Sequence, residues 1–404
     1  MAGKSRMHYG WVIVGAMFVV QTVSSGFGFY NMSVYITELA PRLDAPIAEI
    51  SFAVTLFFAV GGIAGIYVAR LIDRFPIQRI MVVGTLGCGL CLGAMGFAEN
   101  IWMAYLIFAL FGAANTGISL VVATTMVTRW FPGPERSIAL SIASTGLSMG
   151  GVLVTPFSAY LFNTYGIDAS LPWLGLLFVV VVTPLCLWVL RWPRSFQQAG
   201  PVEVDGAAYQ NAVRSRFFVL LSLGFVFVMG AQVGGIAHLY NLIEGLGDFS
   251  DAAVAIQILT IGSITGRVLG GWIMTRVPVR RYALANLVLQ MVGLLLLSSA
   301  TEVSMAQIGA GLFGLSIGNL LMSQPLWLAE VFDANIYPRV YALANALTVI
   351  GVAAGPFLMG LLYDLSGYDL AYMLAALSSG IAFFVIVGAG RGTPQNAVES
   401  CGAL

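Results

Sequence analysis

The stretch 258-ILTIGSITGRVLGGWIM-274 holds one arginine among residues that are otherwise apolar or small and neutral. An ionised side chain at the centre of a bilayer costs about 2.5–3.5 kcal/mol on insertion scales. No acidic residue occurs between Asp251 and Glu302 to offset that cost. A guanidinium is suited to holding a carboxylate by two parallel hydrogen bonds, a geometry lysine does not copy. Ser263 and Thr260 precede Arg267 by one and two turns on the same side. The stripe therefore fits a small organic anion; the alternative is a structural arginine bonded to carbonyls of a neighbouring helix.

Other polar residues join this set by depth. Arg267 lies nine residues before Arg276, roughly 13 Å along a helix rising 1.5 Å per residue. Asn115, in 111-FGAANTGISLV-121, lies fourteen residues before Arg129, about 21 Å by the same rise. Both are near mid-span. Asn319, in 313-FGLSIGNLLMSQP-325, occupies the corresponding region of the second half. Either amide can donate to substrate oxygens or bond a neighbouring helix. Tyr30, in 24-SSGFGFYNMSVY-35, offers a hydroxyl and an aromatic wall, and the glycines around it predict a locally bent helix. His238 is one of two histidines and lies near the outer end of its segment; its titration range suits a proton carrier, with a plain hydrogen-bonded rim histidine as the alternative. Gln232 stands two turns deeper.

The elements that position these residues follow from composition. The 404 residues are 59% hydrophobic and 9% charged, against about 25% charged in soluble domains. Twelve segments are apolar over about the 20 residues needed to span a bilayer: 11–38, 48–70, 80–98, 101–128, 137–165, 171–190, 217–243, 252–275, 282–299, 303–329, 340–363 and 370–390. Of eighteen basic residues, sixteen fall on one side of this arrangement, Arg42 falls on the other and Arg267 within it. The positive-inside rule then puts both termini in the cytoplasm of a multi-pass plasma-membrane protein, expected in a bacterial inner membrane. The start reads as a retained first helix.

The halves repeat at an offset of about 200 residues. Residues 146–166 match 348–367 with Pro156 on Pro356, and R-S-I-A-L at 136–140 recurs as R-V-Y-A-L at 339–343. The expectation is an all-α integral membrane fold of two pseudo-symmetric six-helix bundles, 1–190 and 217–390, with a central loop 191–216, a tail 391–404 and a cavity at the bundle junction. The repeat places Gly65 opposite Arg267, so the arginine serves one half alone. Glycines 262, 266 and 270, like 61 and 65, predict close helix packing. Asp73, Arg74, Arg136 and Arg276 fall at the cytoplasmic ends, where charges can latch a resting conformation. Cys88 and Cys91 read as small apolar residues on one helix. No motif implies a cofactor, a metal or a nucleophile–histidine pair, and zero net charge points to no nucleic-acid partner.

Several of these stretches resemble the major facilitator superfamily. 69-ARLIDRFPIQR-79 is similar to its loop motif, with Ala69 in place of glycine, and 146-GLSMGGVLVTP-156 to its glycine-rich fifth-helix motif. YGWVIVGAMFVV at 9–20, 129-RWFPGPERSIAL-140 and Gly266-Arg267 resemble the monocarboxylate transporter family and its oxalate–formate antiporter relatives. The resemblance implies transport of small organic anions, with Arg267 on the carboxylate. Animal members carry aspartate where Ser263 stands, and the oxalate carrier has a second cation in helix 11, which 340–363 lacks. A monocarboxylate is thus favoured over a dicarboxylate. The expected protein is a monomeric, alternating-access carrier of lactate- or pyruvate-like anions in symport with a proton. The alternatives are an oxalate–formate type exchanger and an efflux pump for apolar compounds.

Overall fold

The computed structural model describes residues 2–131, 135–191, 206–274, 276–333, 336–390 and 392. Ten spans are separate helices or helix runs: α1 (Tyr9–Arg42), α2 (Ile47–Arg74), α3 (Ile77–Met95), α4 (Ile101–Trp130), α5 (Arg136–Tyr165), α6 (Ile167–Val189), α7 (Arg216–Glu244), α8 (Phe249–Met274), α9 (Val279–Ser298) and α10 (Val303–Val331). Helical structure then continues over Tyr337–Ala389, which is long enough for two crossings. Gly367 divides it at φ 80°, a left-handed value that favours glycine, into α11 (337–366) and α12 (368–389). Gly166, at φ 78°, makes the matching break between α5 and α6. Among the described residues twelve crossings result, and the chain is an all-α, multi-pass membrane protein.

Contacts sort the chain into two units: Met1–Gln197 with Ile236–Thr260, and Gln198–Gly235 with Ile261–Leu404. In the first, α5 lies on α1 with almost no side-chain spacer. A Cβ on Gly146 would strike the Phe18 carbonyl, and one on Gly150 the Gly26 nitrogen. Gly112 of α4 meets the Phe57 carbonyl of α2 in the same manner. The second unit repeats the device. Gly351 and Gly355 of α11 meet the Val226 and Gly230 carbonyls of α7, and Gly262 and Gly266 of α8 meet Gly311 and Leu315 of α10. Lipid tails are as apolar as the helices, so association relies on close backbone approach rather than on the hydrophobic effect. Gly65 has no such neighbour.

Two local features tie the ends. Arg42 at the close of α1 forms an ion pair with Asp168 (2.7 Å) in the first turn of α6. It also donates to the carbonyls of Met95 (3.2 Å) and Gly96 (2.9 Å) at the end of α3. In the second unit a short helix, Gly206–Arg214, buries Ala212 in an apolar cluster that includes Phe217, Trp327 and Phe332.

Candidate substrate site

α1 and α4 are both irregular at membrane depth. In α1, residues Gly26–Tyr30 form a π turn, the bend expected from their glycines. In α4 the α-helix stops at Asn115, a 3₁₀ turn follows over Thr116–Ile118, and Ser119 is extended (ψ 171°) before helix resumes at Leu120. Irregular backbone is tolerated in a membrane where protein buries it or a cavity faces it. Here Gln21, buried on α1, donates to the Ile118 carbonyl at 2.9 Å and satisfies one group released by the break.

Asn115 ends the first half of α4. Ser24 Oγ donates to Asn115 Oδ1 at 2.8 Å, which assigns the amide's orientation. Gly28 makes room for that amide, since a Cβ there would stand 3.2 Å from Nδ2. Tyr30 is buried, with its ring against Gly151 of α5 and edge-on to Phe29 at 5.1 Å. His238 is fully buried in the same unit, with Nε2 at 3.2 Å from Ser51 Oγ of α2. That hydroxyl spends its only proton on the Ile47 carbonyl (2.7 Å), so it accepts from the ring and Nε2 carries hydrogen. Nearby the Tyr240 N–H donates to Ser33 Oγ at 2.8 Å, which joins α7 to α1 at that level.

The second unit holds Arg267, Ser263, Asn319 and Gln232. Arg267 is half-buried, and its stem crosses α10 at Gly318, where any Cβ would overlap the side chain. Ser263 is fully buried one turn earlier on the same helix. Asn319 follows Gly318 directly. Its Nδ2 donates to Asn286 Oδ1 of α9 (3.1 Å), which ties the two helices, and to the Leu315 carbonyl one turn back on α10 itself (2.9 Å). Gln232 is buried, and its Oε1 has no hydrogen-bond partner among the described residues.

The residues expected at the arginine-rich ends are less fully described. Arg276 lies over the Trp272 ring at 4.1 Å. Asp73, Arg74 and Arg136 occupy helix ends, but their side chains lie outside the described residues. Sequence reasoning missed four residues that position the candidates: Ser24, Ser51, Gly318 and Asn286. Ser24 and Gly318 sit inside the quoted motifs, whereas Ser51 lies 187 positions from His238 and carries no local signal.

The comparisons with known proteins agree with this architecture. The profile of the Major Facilitator Superfamily matches residues 17–319 and 251–400. The chain belongs to that superfamily. It is therefore a transporter rather than an enzyme. Among its similar relatives, mouse Monocarboxylate transporter 11 is 24% identical, over 98% of this chain and 90% of its own length. Bovine Monocarboxylate transporter 13 is 23% identical, over 95% and 88%. The uncharacterized MFS-type transporter YcxA of Bacillus subtilis is 25% identical, over 59% of each chain. Among solved structures, a mutant form of the nucleoside transporter NupG superposes with TM-score 0.78 at 9% identity, over 94% of this chain and 100% of that one. A bacterial homologue of the human lysosomal transporter Spinster gives 0.73 at 15% identity, over 94% and 95%. At such identities the structures speak for the fold alone, which is that of the superfamily.

Proposed function

We propose that this major facilitator protein is a secondary active carrier of small monocarboxylates of the lactate or pyruvate class, moved in symport with a proton. The observation that carries the reading is Arg267: a half-buried guanidinium on α8, seated on Gly318 of α10, which leaves room for nothing else. A bound carboxylate neutralises that charge and lowers the cost of enclosing it within the membrane. Asn115 supports the reading as a second donor whose orientation Ser24 fixes. Tyr30, Ser263 and Gln232 are proposed as walls and secondary contacts. Asn319 is given the narrower role of holding α9 and α10 beneath the arginine.

The proton is assigned to His238, which is buried and hydrogen-bonded through Nε2 to α2. The proposed latch at the arginine-rich ends uses Asp73, Arg74, Arg136 and Arg276, and those ends are assigned to the cytoplasm. Counterflow of labelled lactate into proteoliposomes tests the substrate class. Wild type exchanges label, Arg267→Ala does not, and Arg267→Lys retains at most a remnant. Wild-type counterflow in both variants refutes the assignment.

A further inference from the structure

A groove of about 300 Å³ opens on the first unit between α2, α3 and α4, and none of the residues assigned to the carrier function lines it, although Ala114 and Gly117 flank Asn115 and Phe75 follows Arg74. Its walls are apolar: Leu71, Phe75 and Val83 line it and are exposed, Val83 on the α3 span, Leu71 in the last turn of α2 and Phe75 in the link to α3. Its floor is Gly84 of α3 and Gly117 of α4, which touch so closely that a Cβ on Gly117 would stand 3.2 Å from the Gly84 Cα. The absence of side chains on both helices is what hollows the surface there. Among the described residues, the charged one at its mouth is Arg79, exposed in the first turn of α3.

An apolar slot within the span that ends on a guanidinium at the arginine-rich end matches one kind of molecule. We propose that this groove binds a single anionic phospholipid of the leaflet on the Arg79 side, with an acyl chain along Leu71, Phe75 and Val83 and the headgroup phosphate on Arg79. The charge complements the headgroup, since a basic residue at the membrane surface favours anionic over zwitterionic lipid. Helix α3 starts at the same point, and its N-terminus adds to the positive potential. The chain's inner end rests against the irregular turn that follows Asn115, so the lipid buttresses the back of that turn.

Native mass spectrometry of the purified full chain tests this, with titration of phosphatidylglycerol, phosphatidylcholine or soluble glycerol phosphate. Wild type is expected to bind the first lipid roughly fivefold tighter than the second, the effect of one basic residue. Arg79→Gln removes that preference, and Val83→Trp, which fills the slot, weakens both lipids by a similar factor. Arg281→Gln, an equally exposed charge at the start of α9, leaves the preference intact. Three results overturn the proposal: preference retained in Arg79→Gln, an equal loss in Arg281→Gln, or glycerol phosphate binding as tightly as the anionic lipid. The last would assign the site to a free anion.

Discussion

Gly318→Ala adds one methyl group and nothing else, and it is aimed at the guanidinium without touching substrate. The added carbon would occupy the space of Arg267 Cγ, Cδ and Nε. Either the arginine side chain leaves its seat or α8 and α10 move apart. Forcing a methylene into a filled site costs about 1–3 kcal/mol. If the strain is relieved by displacing the arginine from its binding pose, carboxylate affinity falls by roughly 5- to 150-fold at tenfold per 1.4 kcal/mol. Gly271→Ala is the control, on α8 with Arg267 itself and with nothing within 4 Å of the new carbon. It should leave affinity unchanged and stabilise the helix by up to about 1 kcal/mol. Calorimetric titration of lactate or pyruvate onto both variants, with Tm recorded for each, reads the outcome. A Gly318→Ala protein that folds and binds within twofold of wild type would refute the seating argument. So would a fall in Tm with affinity untouched, because that puts the strain in the helix pair alone.

Ser24→Ala leaves Asn115 Oδ1 without its donor and lets the amide turn. One hydrogen bond of about 1 kcal/mol predicts a roughly fivefold rise in the KM for counterflow, and an unchanged KM would remove Asn115 from the binding face. His238→Gln keeps a donor for Ser51 but cannot carry a proton, so uptake driven by a pH gradient should disappear while counterflow persists. Gradient-driven uptake at the wild-type rate would place the proton elsewhere. Arg42→Gln breaks the pair with Asp168 and bares two carbonyls of α3; a loss of roughly 1–2 kcal/mol should lower Tm without changing transport. An unaltered Tm would mean that solvent replaces those bonds at no cost.

The twelve crossings were legible because lipid imposes a length and a composition on any helix that spans it, and glycine spacing marked which faces approach. The partner of each face was not legible. Gly266 could be read as a packing residue, but that it meets Leu315 depends on the relative rotation of α8 and α10. The bend in α1 was expected from its glycines, whereas the break in α4 was not, since 113-AANTGISL-120 contains no proline. Residue counting at a constant helical rise gave expected depths for Arg267 and Asn115, but the break over Thr116–Ser119 interrupts the helix that the count for Asn115 assumed. Their immediate surroundings required three dimensions. Arg42 counted only as an exception to the charge rule, yet it ties α1 to α3 and α6.

The π turn at Gly26–Tyr30 has an implication for how α1 can change. Such a turn holds one residue beyond an α turn, so everything after it is rotated by about 100° from where regular helix would leave it. Asn31 and Ser33, which bond Ser158 and the Tyr240 N–H, owe their present directions to that single surplus residue. Deleting one residue to wind the turn tight would swing both groups off their partners at once. The orientation of one end of α1 relative to the other thus rests on five residues.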